Sequence, residues 1–522
     1  MRLVIQPARS ILSGPKENLI KIREFFSFKN KAAENQIRRF KNSNHFIERR
    51  LYQSNGELPP EYLEWKNKKL DDLKSAVQVY ACHWTNESET ELYVPTGLVS
   101  SLAAYIVEEN LPLTYEDQRD FENIDRRMLV GARPGRLRKP QEEALAMIEA
   151  TADLDFVKGN GLFKIATGVG KTSLAQELIR KIGCRSLFVV PSVPILRQTV
   201  KRFEEAYGKK NVGIWGDGTK RLGYVTVATY ASIYAAEAEV FDEFRLAIFD
   251  EVHHIGADTF FAVAVERLRN VVHRYGLTAF EERADGGTML VEAAVGPTIY
   301  AYEAPQAIED NYLARPTYFI YDVTQTKGSW DKYKIKDKVR TKVSTEMSKP
   351  YNGDDDNLAY KNWVLGNDLL NSAVAEMVEA FVQDGKSILI LVDEIDHGKR
   401  LMDLIPGAGY CVGGGKDNER LQKEFNQRKL KVLIGTSTLG EGADTVPVDV
   451  LIELQGGASK SKTLQADGRA LRNDPDDQGV PQKPTTIIID FNFPNCRILQ
   501  RHSSLREQLH ETMGEVHKGK LV

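Results

Sequence analysis

The chain is poor in the features that would anchor or cross-link it. Of its 522 residues only four are cysteine, Cys82, Cys184, Cys411 and Cys496. None sits in a CxxC or Cys/His cluster, which argues against structural zinc and points to a reducing compartment. No apolar run reaches the roughly 18 residues of a membrane span, and the first residues lack the apolar core of a signal peptide. The expectation is a cytoplasmic protein with no membrane segment. Neither sign of charge is in excess, with 70 basic residues against 73 acidic, so any nucleic-acid surface must be local. What is present is the composition of a globular chain, 42% apolar and 27% charged, long enough for roughly two to four domains.

The richest stretch is residues 161–172. Residues 163–166 read as a short buried strand, and residues 173–179 have the apolar spacing of a helix. Between them lie Thr167, Gly168, Val169, Gly170, Lys171 and Thr172. Glycines there let backbone N–H groups converge on phosphate oxygens, and the following helix adds positive potential at its start. Lys171 would reach the β- and γ-phosphates of a nucleotide, and the Thr172 hydroxyl would ligate Mg²⁺. The strict pattern asks for Gly or Ala five positions before Gly170, where Ile165 stands.

Before this loop, residues 1–125 read as a small α/β domain, with strands near 3–5, 77–81 and 91–94 and helices over 18–28 and 97–108. Residues 36–51 mix basic and aromatic side chains, among them Arg38, Arg39, Lys41, Arg49 and Arg50. Such a mixture suits phosphates and stacked bases; the plainer alternative is a solvated basic face over buried phenylalanines. An Arg/Gly/Pro-rich boundary follows at 126–140. Gln141, at a helix start about 30 residues ahead of the phosphate loop, is placed to read adenine through its amide.

After the loop, apolar strands alternate with helices, which argues a parallel sheet with ligands at the strand C-terminal ends. Residues 185–190 run into Pro191 and Ser192, with Arg197 and Gln198 opening the next helix. Residues 224–228 lead to Thr229. Residues 246–249 end in Asp250, Glu251, Val252 and His253. Asp250 suits Mg²⁺, Glu251 suits a general base on water, and His253 suits coupling to a facing domain. Residues 271–279 repeat the pattern, with Thr278 as a second coupling candidate. A second α/β half, 321–500, has strands near 387–392, 432–436, 450–452 and 486–490 but no phosphate loop of its own. Its charged insertion, 324–356, reads as a solvated loop, with DNA contact as the alternative. The tail, 501–522, reads as helical at first and then frayed. The fold class is thus α/β: two tandem parallel-sheet domains, 126–320 and 321–500, behind the accessory domain.

One phosphate loop for two halves leaves the second to complete the nucleotide site. Gln465 to Arg472 places Arg469 and Arg472 about one helical turn apart, as candidate arginine fingers. Gly442 and Asp444 follow a strand, and Thr436 ends one. This ordered set resembles the superfamily 2 helicases over roughly residues 130–495, with the Asp250–His253 segment as a DEVH box. The N-terminal run Glu24-Phe25-Phe26-Ser27-Phe28, together with residues 92–99, is similar to the accessory domain of UvsW-type phage recombination helicases. The resemblance implies that both parallel-sheet domains are RecA-like, with ATP and Mg²⁺ as cofactors, DNA as partner, a monomer, and remodelling of forks, Holliday junctions, D-loops and R-loops. It implies ATP contacts from Arg138, Gln141, residues 167–172, Ser173, Gly442, Asp444 and Gln465. It implies DNA contacts from Pro191, Ser192, Arg197, Gln198, Thr229 and Thr436. The runners-up are a double-strand translocase, an RNA helicase and, outside enzymes, a nucleotide-gated DNA-binding protein.

Overall fold

The computed structural model describes the chain apart from residues 32, 39, 42–43, 45–47, 49–57, 59, 123–136, 254–260, 280–286, 335–338, 348–350, 352–354, 414, 437–447, 458–459, 474–482, 484 and 522, and apart from the side chains of 75, 328–334, 339–347 and 461. The chain divides into two compact units, residues 1–164 with 172–301, and residues 165–171 with 302–522.

In the first unit, a five-stranded sheet runs His83–Trp84, Glu91–Pro95, Arg9–Ser13, Arg2–Ile5, Thr114–Asp117. Alternate residues point to opposite faces, so Leu3, Ile5, Leu12, Leu92 and Val94 are fully buried on one side. They pack with Leu19 and Ile22 of the helix Lys16–Phe25 and with Leu102 and Ile106 of Val99–Glu108. The helix expected over 18–28 stops at Phe25. Phe26 leaves helical geometry at φ −88°, ψ 49°, and Ser27–Lys29 pairs with Gln78–Tyr80 instead. A sheet ladder here overrides a helical apolar spacing.

The same unit holds an eight-stranded sheet in the order Thr219–Arg221, Val212–Gly216, Val225–Thr229, Ser186–Val190, Leu246–Asp250, His273–Thr278, Asn160–Ile165, Thr298–Tyr302. The six strands from Val212–Gly216 to Asn160–Ile165 are paired in parallel. Both faces are covered, which is why Ser186–Val190 and Val225–Thr229 are buried at every residue. The chain leaves Asn160–Ile165 and re-enters at Ser186–Val190, skipping the two strands that later fill the gap. That reversal makes a crevice at the strand C-terminal ends, where such sheets bind ligands.

The second unit is a seven-stranded sheet: Gly409–Cys411, Val432–Gly435, Ile388–Val392, Val450–Leu454, Thr485–Asn492, Arg315–Val323, Glu515–Leu521. All neighbours are parallel. Its core gathers Ile388, Ile390, Ile434, Ile452 and Phe491. The tail expected to fray ends as the edge strand Glu515–Leu521, in which only Leu521 is buried. With so little apolar alternation the strand was invisible to pattern reading. The insertion expected as a loop is an antiparallel hairpin, Thr326–Lys334 with Val339–Met347, in register from Thr326↔Met347 to Lys334↔Val339. Val339, Thr341, Val343 and Thr345 supply a β-branched residue at every second position, a strand pattern that the polar Arg340, Lys342 and Ser344 between them disguise. Among the described residues no helix is long and apolar enough to cross a membrane.

Candidate nucleotide and nucleic-acid site

The central strand Leu246–Asp250 buries Leu246, Ala247, Ile248 and Phe249 completely and lets Asp250 emerge, half-buried, at its C-terminal end beside Leu277. Glu251 then takes a left-handed turn, φ +47°, a conformation that costs a non-glycine residue roughly 1–2 kcal/mol. Its N–H donates to Asp250 Oδ1 at 3.1 Å. His253 Nδ1 lies 3.5 Å from Glu251 Oε2 and 3.2 Å from Thr278 Oγ1. A polar chain, Glu251–His253–Thr278, thus joins the ends of two adjacent strands. The phenol of fully buried Tyr230 donates to Asp250 O at 3.3 Å. Burial, and then the charges of Asp250 and Glu251, hold that phenol neutral by pushing its pKa up.

Thr172 and Ser173 sit in the first turn of the helix Lys171–Ile182, Thr172 half-buried and Ser173 exposed. Gln141 is buried in the first turn of Lys139–Ala150. Its Oε1 accepts the Arg138 N–H at 2.8 Å, and its own N–H donates to Arg138 O at 2.8 Å. The carboxamide therefore caps its own helix. Arg138 itself is half-buried.

The nucleic-acid candidates of this unit fare differently from one another. Pro191 and Ser192 stand half-buried between the strand Ser186–Val190 and the helix Val193–Tyr207. Ser192 Oγ is buried with no hydrogen-bond partner among the described residues. Gln198 is half-buried, and Arg197 is exposed in a two-point ion pair with Asp217, Nε–Oδ2 2.6 Å and Nη2–Oδ1 3.0 Å. Arg197 holds the Asp217 carboxyl below its usual range. Thr229 is buried as a cap: Oγ1 accepts Ser232 N–H at 3.2 Å and donates to Ser232 Oγ at 2.8 Å. Arg38 and Lys41 are exposed. Arg39, Arg49 and Arg50 lie outside the described residues, as do Gly442 and Asp444.

In the second unit, Gly168 and Gly170 have φ of +92° and +105°, which turns the phosphate loop ahead of its helix without strain. Lys171 Nζ donates to Ile165 O at 3.5 Å. Thr167 Oγ1 is buried with no hydrogen-bond partner among the described residues. The helix Lys460–Ala470 lies against this loop. A Cβ on Gly468 would come within 2.6 Å of Thr167 Cβ, and one on Gly168 within 3.4 Å of Arg472 Cγ. Gln465 is half-buried, Arg469 is 6% exposed, and Arg472 is half-buried. Arg472 is fixed in backbone position by a bridge to Leu313. Thr436 is buried, and its N–H donates to Cys411 O at 3.4 Å.

The residues that each unit presents suit parts of a nucleoside triphosphate. The glycine turn, the orphaned Thr167 hydroxyl and the half-buried Lys171 suit phosphate oxygens. Thr172 and Asp250 are the oxygen donors that suit a hard divalent ion.

Sequence reasoning passed over Glu453 and Asp467. Both are buried, at 5% and 0% exposure. A signal existed: Glu453 interrupts the apolar strand Val450–Leu454, and a carboxylate has no place in such a strand without a partner.

Comparison with known proteins follows this geometry closely. Residues 135–283 match the family described as type III restriction enzyme, res subunit, and residues 372–474 match the helicase conserved C-terminal domain. The chain is 29% identical over 332 residues to a protein named DNA 3'-5' translocase XPB2 from Sulfurisphaera tokodaii, covering 60% of this chain and 74% of that one. The further relatives it matches are spanned over 58% of their own length. Among solved structures, a fragment described as the HsdR subunit of a type I restriction enzyme from Vibrio vulnificus has a TM-score of 0.52 at 16% identity, over 86% of this chain and 76% of that one. T4 UvsW covers all of both chains at 13% identity with a TM-score of 0.39.

Proposed function

This chain belongs to the superfamily 2 helicases, which hydrolyse ATP, and from that premise we propose that it is a DNA-dependent ATPase that unwinds or remodels branched DNA. Water attacks the γ-phosphorus, the bond to the β-phosphate oxygen breaks, and the water proton passes to Glu251. Lys171 binds the β- and γ-phosphates. Thr172 and Asp250 are the residues that would hold Mg²⁺, which when bound offsets phosphate charge. Arg469 and Arg472 stabilise the charge of the transferred group. Gln141 takes the adenine, and the Glu251–His253–Thr278 chain ties the water-activating carboxylate to the next strand end, a route for coupling hydrolysis to DNA.

The observation that carries the ATPase reading is the delivery of Asp250 and Glu251 at the open end of an otherwise apolar strand. DNA as the track is supported by the relative named a DNA translocase. For nucleic acid, Ser192 is a stronger contact than Thr229, whose hydroxyl already caps a helix.

A second reading has specific support. The relative named a DNA 3'-5' translocase and the res-subunit family match support a motor that moves along DNA, which need not separate the strands. One experiment separates the two: steady-state ATPase with no nucleic acid, single strand, linear duplex, fork, four-way junction and matched RNA, with strand separation followed on each. Stimulation by forks and junctions together with unwinding is the expected result. Stimulation by linear duplex without unwinding replaces it with the translocase, and preference for RNA overturns the choice of track.

A further inference from the structure

We propose that Glu453 is a positioning residue for Arg469 and Arg472, holding the helix Lys460–Ala470 in place through a carboxyl–carboxyl hydrogen bond to Asp467. The inference rests on the reading that these arginines act on ATP.

The helix carries two neighbouring residues with opposite duties. Gly468 faces forward, with no room for a Cβ against Thr167 of the phosphate loop. Asp467 faces backward into the sheet, fully buried. There its Oδ2 accepts the Tyr318 hydroxyl at 3.2 Å and lies 3.6 Å from His510 Nε2. The His510 ring is itself stacked on Tyr318, centroids 4.1 Å apart at 16°. Glu453, on the strand Val450–Leu454, brings a carboxylate oxygen within 4.8 Å of one on Asp467, with a ring nitrogen of His510 in the same cluster.

The charge inventory decides what this contact is. Arg506, on the helix Arg497–His510, is committed to Asp490 of the strand Thr485–Asn492 by two bonds of 2.8 Å. His510 is neutral, because burial lowers its pKa to about 4. Lys462 stands nearer the surface on the same helix as Asp467. Two buried carboxyls without a cation of their own cannot both ionise. Burial and the neighbouring acids push Asp467 up to about 8 and Glu453 well above the carboxylate range. Glu453 therefore keeps its proton at neutral pH and donates it to Asp467, which also accepts from Tyr318. The pin fixes the rotation of the helix, and so the side on which Gly468 meets the loop and from which Arg469 and Arg472 project.

The test measures ATP turnover of the full-length chain against pH for wild type, Glu453→Gln, Glu453→Ala and Arg472→Ala. The glutamine amide donates at every pH. Glu453→Gln is expected to keep wild-type turnover across neutral and mildly alkaline pH, because its amide still donates to Asp467. Glu453→Ala is expected to lose about 10- to 100-fold in kcat with little change in KM for ATP, the effect of a misplaced rather than a missing group. Loss of turnover in a folded Glu453→Gln overturns the proposal, and that result decides even if Glu453→Ala does not fold. Wild-type turnover in a folded Glu453→Ala overturns it too. If Arg472→Ala loses turnover while the Glu453 variants behave like wild type, only the pin is wrong. If Arg472→Ala turns over normally, the arginine reading falls and the pin with it.

Discussion

The two large sheets treat the acids at and near their strand ends in opposite ways. In the first, Leu246–Asp250 is apolar until its last residue, and Asp250 and Glu251 emerge half-buried at its C-terminal end, Glu251 beside His253. In the second, Glu453, Asp467 and Asp490 are at most 5% exposed, Asp467 bonded to Tyr318 and Asp490 to Arg506. One sheet brings its carboxylates to the open ends of its strands, where a charged ligand can come and go. The other buries them, where each must be neutralised or paired, and gains a fixed orientation for the helix above. Acids in similar topological places thus serve chemistry in one unit and geometry in the other.

This contrast can be broken by substitution. Asp250→Asn should reduce ATP turnover by a thousandfold or more, on the order of several kcal/mol of transition-state stabilisation, with the urea unfolding midpoint scarcely moved. A large loss of stability would show that Asp250 is structural. Arg472→Ala should slow turnover by roughly 10³-fold while nucleotide binding, followed by a fluorescent ATP analogue, is retained. Arg506→Leu should instead destabilise the fold by about 3–5 kcal/mol in urea unfolding, because it strands the buried Asp490 carboxylate. A pH series sharpens the same point. The folded-state pKa values of Glu453 and Asp467 are raised, so their contribution to stability is present below the ordinary carboxylate pKa of about 4. It is lost as pH rises toward about 8. The double variant Glu453→Gln/Asp467→Asn should show a flatter dependence of unfolding free energy on pH across that window. The smallest effect belongs to the exposed Arg197–Asp217 pair: Asp217→Asn should leave the urea unfolding midpoint unmoved.

Much of this was legible in the sequence, and the boundary of legibility is physical. The strand–loop–helix around Lys171 and the apolar strand ending in Asp250 could be read because each combines a strong apolar run with residue types that only a turn or a ligand explains. The hairpin at 326–347 and the edge strand Glu515–Leu521 could not. Both are solvated enough that their alternation is diluted by lysine, and in the edge strand the parallel partner, Arg315–Val323, lies some 200 residues earlier. Side-chain roles were harder still. Gln141, placed by its position to read adenine, and Thr229, a DNA contact by the resemblance, each also cap a helix, a local bond that sequence order does not reveal. Arg197 looked available, and Asp217, 20 residues on, takes it. Asp467 was hidden between Gln465 and Arg469, where the arginines drew attention away from the one buried acid.

The most direct measurement is ATP turnover by the full chain, with and without forked DNA, beside the Lys171→Ala variant. Turnover that rises on forked DNA in wild type and is absent from Lys171→Ala under both conditions is the predicted result. Equal turnover by the variant, or no turnover by wild type on any DNA, would contradict the account.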